Sequence, residues 1–134
     1  AHVGLAMTEA ALRDMHRRKT GAMLEVSVHM GALSAGANAP TLACLVRYAQ
    51  AIGLAFQVVD DILDVTADSA TLGKTAGKDQ ANDKPTFVSL LGLAGAQAQA
   101  QALLQEALAA LDAAKLRDDG ALRALAHRVV QRDR

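Results

Sequence analysis

Three aspartates stand within five residues of one another, at Asp60, Asp61 and Asp64, with Gln57 one helical turn earlier. At about 100° per residue these four side chains share an arc of roughly 100° on a helix. Every other residue from Ala51 to Val65 is apolar or glycine. A helix that is apolar on its remaining sides is normally buried among other helices. Carboxylates crowded there are costly through desolvation and mutual repulsion unless cations or hydrogen bonds compensate. Oxygen-only ligands suit Mg²⁺, Mn²⁺ or Ca²⁺, and Mg²⁺ commonly takes one or two carboxylates together with waters and phosphate oxygens. The alternative is a solvated acidic face of an amphipathic helix, and spacing alone leaves both open.

Lysines surround this stripe in sequence. Lys74, Lys78 and Lys84 follow it in a polar segment, and Lys19 precedes it, next to Thr20. Acids that hold Mg²⁺ and lysines that hold phosphate oxygens together make a diphosphate site. Taken singly, each lysine reads as a surface residue. Two familiar motifs are excluded. Gly73-Lys74-Thr75 ends like a phosphate loop, but the earlier glycine that loop needs is Asp68, and the segment follows a helix instead of a strand. An EF-hand loop starting at Asp60 would put Ile62 at a ligand position and lacks its glycine.

The elements that must position these groups are helical. The chain has 134 residues, enough for one domain, and 30 of them are alanine against three aromatics, so strand formers are scarce and an all-α fold is expected. Net charge is zero, which excludes the broad positive field of a nucleic-acid binder. The lone Cys44 has no internal disulfide partner, and the four histidines lack zinc-ligand spacing. Apolar stretches are interrupted before the ~20 residues a bilayer requires, so no membrane span and no signal peptide are expected.

Thr8 can cap a helix from Glu9 to about Lys19; Gly21 permits a bend, after which Met23, Val26, Met30 and Leu33 continue an apolar stripe to Gly36, so a helix pair or one kinked helix is expected. Pro40 suits the first turn of the next helix, expected from about Thr41 to Thr66. The segment from Ala67 to Pro85 reads as an ordered loop or short helix. A helical run from Phe87 follows, with a bend at Gly92 or Gly95, and continues to about Lys115. A last amphipathic helix carries Leu122, Leu125, Val129 and Val130.

Asp60-Asp61-Ile62-Leu63-Asp64, preceded by Phe56-Gln57 and followed by Gly73-Lys74 and Lys84, resembles the second aspartate-rich region of trans-isoprenyl diphosphate synthases. Lys19-Thr20-Gly21 matches the Lys-Thr element upstream of that region. The segments Gly31-Ala32-Leu33-Ser34-Ala35-Gly36 and Ile52-Gly53-Leu54-Ala55-Phe56-Gln57 make the chain most similar to the bacterial farnesyl diphosphate synthases. The likeness runs over nearly all of residues 1–134, but three elements that the family carries upstream of the Lys-Thr position, a first aspartate-rich motif, another Gly-Lys element and an Arg pair, do not occur. The chain therefore resembles the C-terminal half of a polyprenyl synthase domain.

The resemblance implies part of the all-α isoprenoid synthase bundle and a prenyltransferase that condenses dimethylallyl or geranyl diphosphate with isopentenyl diphosphate. It assigns Mg²⁺ to Asp60, Asp61 and Asp64, diphosphate contacts to Lys19, Lys74 and Lys84, and stabilisation of the allylic cation to Thr20 and Gln57. Arg134 is similar to a basic C-terminus that in some relatives approaches isopentenyl diphosphate. The resemblance also implies a cytoplasmic homodimer, or association with a missing N-terminal half, and little activity for an isolated half. On their own, Gln57 can simply bond a neighbouring helix and Thr20 can satisfy backbone. The competing function is a non-catalytic helical interaction subunit, motivated by the missing elements and by apolar faces that a partial bundle leaves uncovered.

Overall fold

The computed structural model describes residues 9–71 and 86–133, and every regular element among them is a helix. These are α1 (Glu9–Ser34), α2 (Ala39–Thr71), α3 (Phe87–Ala114) and α4 (Gly120–Gln131). The all-α expectation holds. Thr8, Lys74, Lys78, Lys84 and Arg134 lie outside the described residues.

α1 runs through Gly21 as one helix, where the sequence suggested a bend. The reason for glycine there is tertiary. A Cβ on Gly53 of α2 would lie 3.5 Å from both the Cα and the carbonyl oxygen of Gly21, so the two helices approach backbone to backbone at this crossing. The chain then turns sharply into α2. Gly36 adopts φ 78°, its N–H donates to the Leu33 carbonyl, and the Ala37 N–H reaches back to Ala32, satisfying the last carbonyls of α1. Asn38 starts α2 by accepting the Thr41 N–H at 2.9 Å, with Pro40 inside the first turn as expected. α2 is longer at both ends than the sequence suggested.

α2 is the core helix and packs against each of the other three. Tyr48, Ile52 and Ala49 are completely buried with Leu104, Ala107 and Leu111 of α3 and Ala126 of α4. Further along, Ala55, Val58 and Val59 meet Ala96, Ala100 and Leu103 of α3 and Val129 of α4. The alanines on α3 recur at helical spacing on its buried side, so the alanine-rich tract is packed helix, as its leucine spacing suggested. The Tyr48 hydroxyl donates to the Leu122 carbonyl at 2.7 Å, and burial pushes its pKa up to about 12. α3 breaks at Gly92, which takes φ 79° and ψ 165°, and ends at Lys115 in the left-handed region, φ 53°.

Two features depart from the expected burial and hydropathy. Met23, Val26, Met30 and Leu33 form a stripe on α1 but are each more than half exposed. By length and composition alone, α2 and α3 are each apolar enough to cross a bilayer, although the sequence suggested no span. The interrupting Gly, Gln and Ser residues are mild enough that apolarity persists over each helix. In α2 just over half of that stretch, 56%, is buried inside the protein.

Candidate active site

The acidic stripe forms on α2 as its spacing requires, and its three carboxylates have different surroundings. Asp60 and Asp64, one turn apart, are half-buried, and Asp61 is buried at 5% exposure. Asp61 Oδ2 accepts the backbone N–H of Phe87 at 2.9 Å. Phe87 is the first residue of α3, so this N–H is one of the donors a helix start leaves unpaired, and a carboxylate there also faces the positive end of the helix dipole. The rest of that terminus is closed by a reciprocal cap. Thr86 Oγ1 accepts the Ser89 N–H at 2.9 Å, and the Thr86 N–H donates to Ser89 Oγ at 2.8 Å.

Asp60 pairs with Arg132, which follows the last turn of α4. Arg132 Nη2 donates to Asp60 Oδ1 at 2.5 Å and to the Phe56 carbonyl at 3.1 Å. The guanidinium carbon also sits 4.1 Å from the centroid of the Phe56 ring. A charge-assisted bond and a cation–π contact thus hold one side chain on the turn that carries Gln57 and Asp60.

Gln57 is half-buried and lies at the α1–α2 crossing. A Cβ on Gly21 would come within 3.3 Å of Gln57 Nε2, so the absence of a side chain at Gly21 leaves room for this amide. The crossing brings Gly21, the last residue of the Lys19-Thr20-Gly21 element, against the Gln57 amide. Thr20 is half-buried there, and Lys19 is exposed.

Among the described residues, no three Asp, Glu, His or Cys side chains gather closely enough to enclose a metal ion. α2 itself presents Asp60 and Asp64 as oxygen donors on one face. That donor set fits Mg²⁺ shared with waters and diphosphate oxygens, and does not suit an ion ligated by protein alone. Arg132 is the residue that sequence reasoning missed. The signal was available in kind, because an acidic stripe on a buried helix calls for a cation, and Gln131-Arg132-Asp133-Arg134 is a basic tail on an amphipathic helix.

An all-helical chain whose core helix carries an aspartate-rich face is the class that fold and site define. The polyprenyl synthetase family profile matches residues 2–123, and the chain belongs to that family. It is 48% identical over 127 residues to the farnesyl diphosphate synthase of Escherichia coli K12, covering 92% of this chain and 42% of that protein. It is 52% identical over 98 residues to a dimethylallyltranstransferase of Fischerella ambigua, covering 73% of this chain and 28% of the relative. A chloroplastic geranylgeranyl pyrophosphate synthase of Capsicum annuum is 48% identical over 122 residues, covering 91% of this chain and 33% of the relative. The chain thus spans less than half the length of these relatives.

Proposed function

We propose that this chain is the C-terminal part of a cytoplasmic, homodimeric prenyltransferase that joins dimethylallyl diphosphate to isopentenyl diphosphate, giving geranyl diphosphate, and then geranyl diphosphate to a second isopentenyl diphosphate, making farnesyl diphosphate. The observation that carries the reading is the juxtaposition of Gly21 with Gln57 at the head of the Asp60–Asp64 face, in a chain of the polyprenyl synthetase family. Asp60 and Asp64 would hold Mg²⁺ on the diphosphate, with Asp61 fixing the helix behind them. Mg²⁺, when bound, stabilises the negative charge of the departing diphosphate.

Lys19, Lys74 and Lys84 would grip the same diphosphate oxygens through charge-assisted bonds. As the allylic C–O bond breaks, the carbocation needs electron-rich dipoles and no water. The Gln57 amide oxygen and the Thr20 hydroxyl oxygen would supply the dipoles, and the apolar flanks of α2 the dryness. The isopentenyl double bond then attacks the cation, a proton is lost, and the product is five carbons longer.

Mixing the chain with the N-terminal part of a bacterial farnesyl diphosphate synthase and measuring Mg²⁺-dependent incorporation of labelled isopentenyl diphosphate tests this. Little turnover is expected from the chain alone, restoration from the folded mixture, and loss in Asp60→Ala. A folded mixture that makes no product overturns the reading.

The exposed stripe Met23, Val26, Met30 and Leu33 on α1 favours a second reading, a helical interaction subunit without chemistry. Calorimetry separates the two. Heat of binding for Mg²⁺ with pyrophosphate that Asp60→Ala abolishes belongs to the enzyme, and its absence to the subunit.

A further inference from the structure

Arg132 is fixed to α2 by three contacts at once: a bond to Asp60 Oδ1 at 2.5 Å, a bond to the Phe56 carbonyl at 3.1 Å, and the ring of Phe56 beneath the guanidinium. Its side chain is 19% exposed and that of Asp60 is 25% exposed, so the pair is sheltered from the screening that weakens surface ion pairs. The guanidinium thus sets a cation directly on the first carboxylate of the acidic face. Resting on the functional reading above, we propose that Arg132 is a displaceable counter-cation for Asp60. It neutralises the carboxylate while the face is empty and is expelled when a divalent cation arrives there with a diphosphate.

The physical basis is exclusion. A guanidinium on Oδ1 of Asp60 takes one of the lone pairs a divalent ion would use and repels that ion as it approaches the same carboxylate. Arg132 follows α4 in extended conformation, φ −66° and ψ 151°, so it can leave without unwinding that helix. Binding at Asp60 is thereby coupled to release of residues 132–133, the last two that the structure describes.

The test uses residues 1–134, with Mn²⁺ and inorganic pyrophosphate as probes. Free Mn²⁺ is followed by electron paramagnetic resonance, and tryptic cleavage after Arg132 by mass spectrometry. Arg132→Gln should tighten Mn²⁺–pyrophosphate binding about tenfold, and Arg132→Lys, which keeps the charge but loses the planar stack, by less. In the parent chain, the ligand should speed cleavage after Arg132 several-fold. Arg132→Lys keeps the test open if Arg132→Gln fails to fold. If the parent chain binds Mn²⁺–pyrophosphate and Asp60→Asn abolishes it, while both Arg132 variants bind no tighter, displacement is overturned and the functional reading stands. If neither the parent chain nor the variants bind, both are overturned.

Discussion

Asp61 on α2 accepts the backbone N–H of Phe87 through Oδ2 at 2.9 Å, across 26 residues of sequence. The middle carboxylate of an aspartate-rich motif therefore serves as the cap of another helix. This ties the acidic face of α2 to the start of α3 and fixes the rotation of the turn that carries Asp60 and Asp64.

Removing that acceptor strands a part-buried helix-terminal donor. Asp61→Ala should lower stability by about 1–2 kcal/mol, and Asp61→Asn, which keeps an acceptor but loses the charge, by less. Urea denaturation in the presence of EDTA checks this, because a residue that served only as a metal ligand would leave the midpoint unchanged there.

Tyr48 links α2 to α4 through the Leu122 carbonyl, and burial holds its pKa at about 12 against the usual 10.0. A raised pKa means the fold favours the neutral phenol. The stability from this preference is complete below pH 10 and falls away as pH rises from about 10 to 12. Tyr48→Phe should cost about 1 kcal/mol at neutral pH through the lost bond and should flatten the alkaline fall over that window. Thermal melts in a pH series read both effects.

The α1–α2 crossing predicts different outcomes for a small side chain at Gly21 and a large one at Gly53. Gly21→Ala gains about 1 kcal/mol of helix propensity, offset by the few tenths of an ångström that the Gln57 amide must yield, so stability should change little. Gly53→Leu has no such room and should destabilise by about 1–3 kcal/mol through overpacking. If Gln57 acts on the substrate, Gly21→Ala should slow turnover in the reconstituted enzyme while the melting temperature holds.

Two backbone positions give a control independent of function. Lys115 closes α3 in the left-handed region, so Lys115→Gly should stabilise by about 1 kcal/mol. Gly92 needs its φ of 79°, so Gly92→Ala should destabilise by about 1–2 kcal/mol. Chemical denaturation of the two variants should move the midpoint in opposite directions.

Much of this was legible in the chain itself. The buried helix with an acidic stripe follows from the period of Gln57, Asp60, Asp61 and Asp64, and the ends of α3 and α4 fall where glycine and charge place them. Gly21 misled, because glycine in a helix suggests a bend locally, while here it serves contact with a helix over thirty residues away. Arg132 and the Phe87 cap stayed hidden for the same reason. Periodicity ranks residues on one helix but does not tell which residue of another arrives opposite them. The exposure of Met23, Val26, Met30 and Leu33 was equally unreadable, since an apolar stripe looks the same whether or not something covers it.

The turn around Gly36 and Asn38 bears on the order in which the molecule assembles. A loop of four residues closes at little entropic cost and satisfies its own helix ends, so the α1–α2 hairpin can form early from local contacts. The bond from Arg132 to Asp60 spans 72 residues and waits for α3 and α4 to dock. It is among the last contacts made and the first to fray, and hydrogen exchange at the end of α4 should outpace exchange at the hairpin by orders of magnitude.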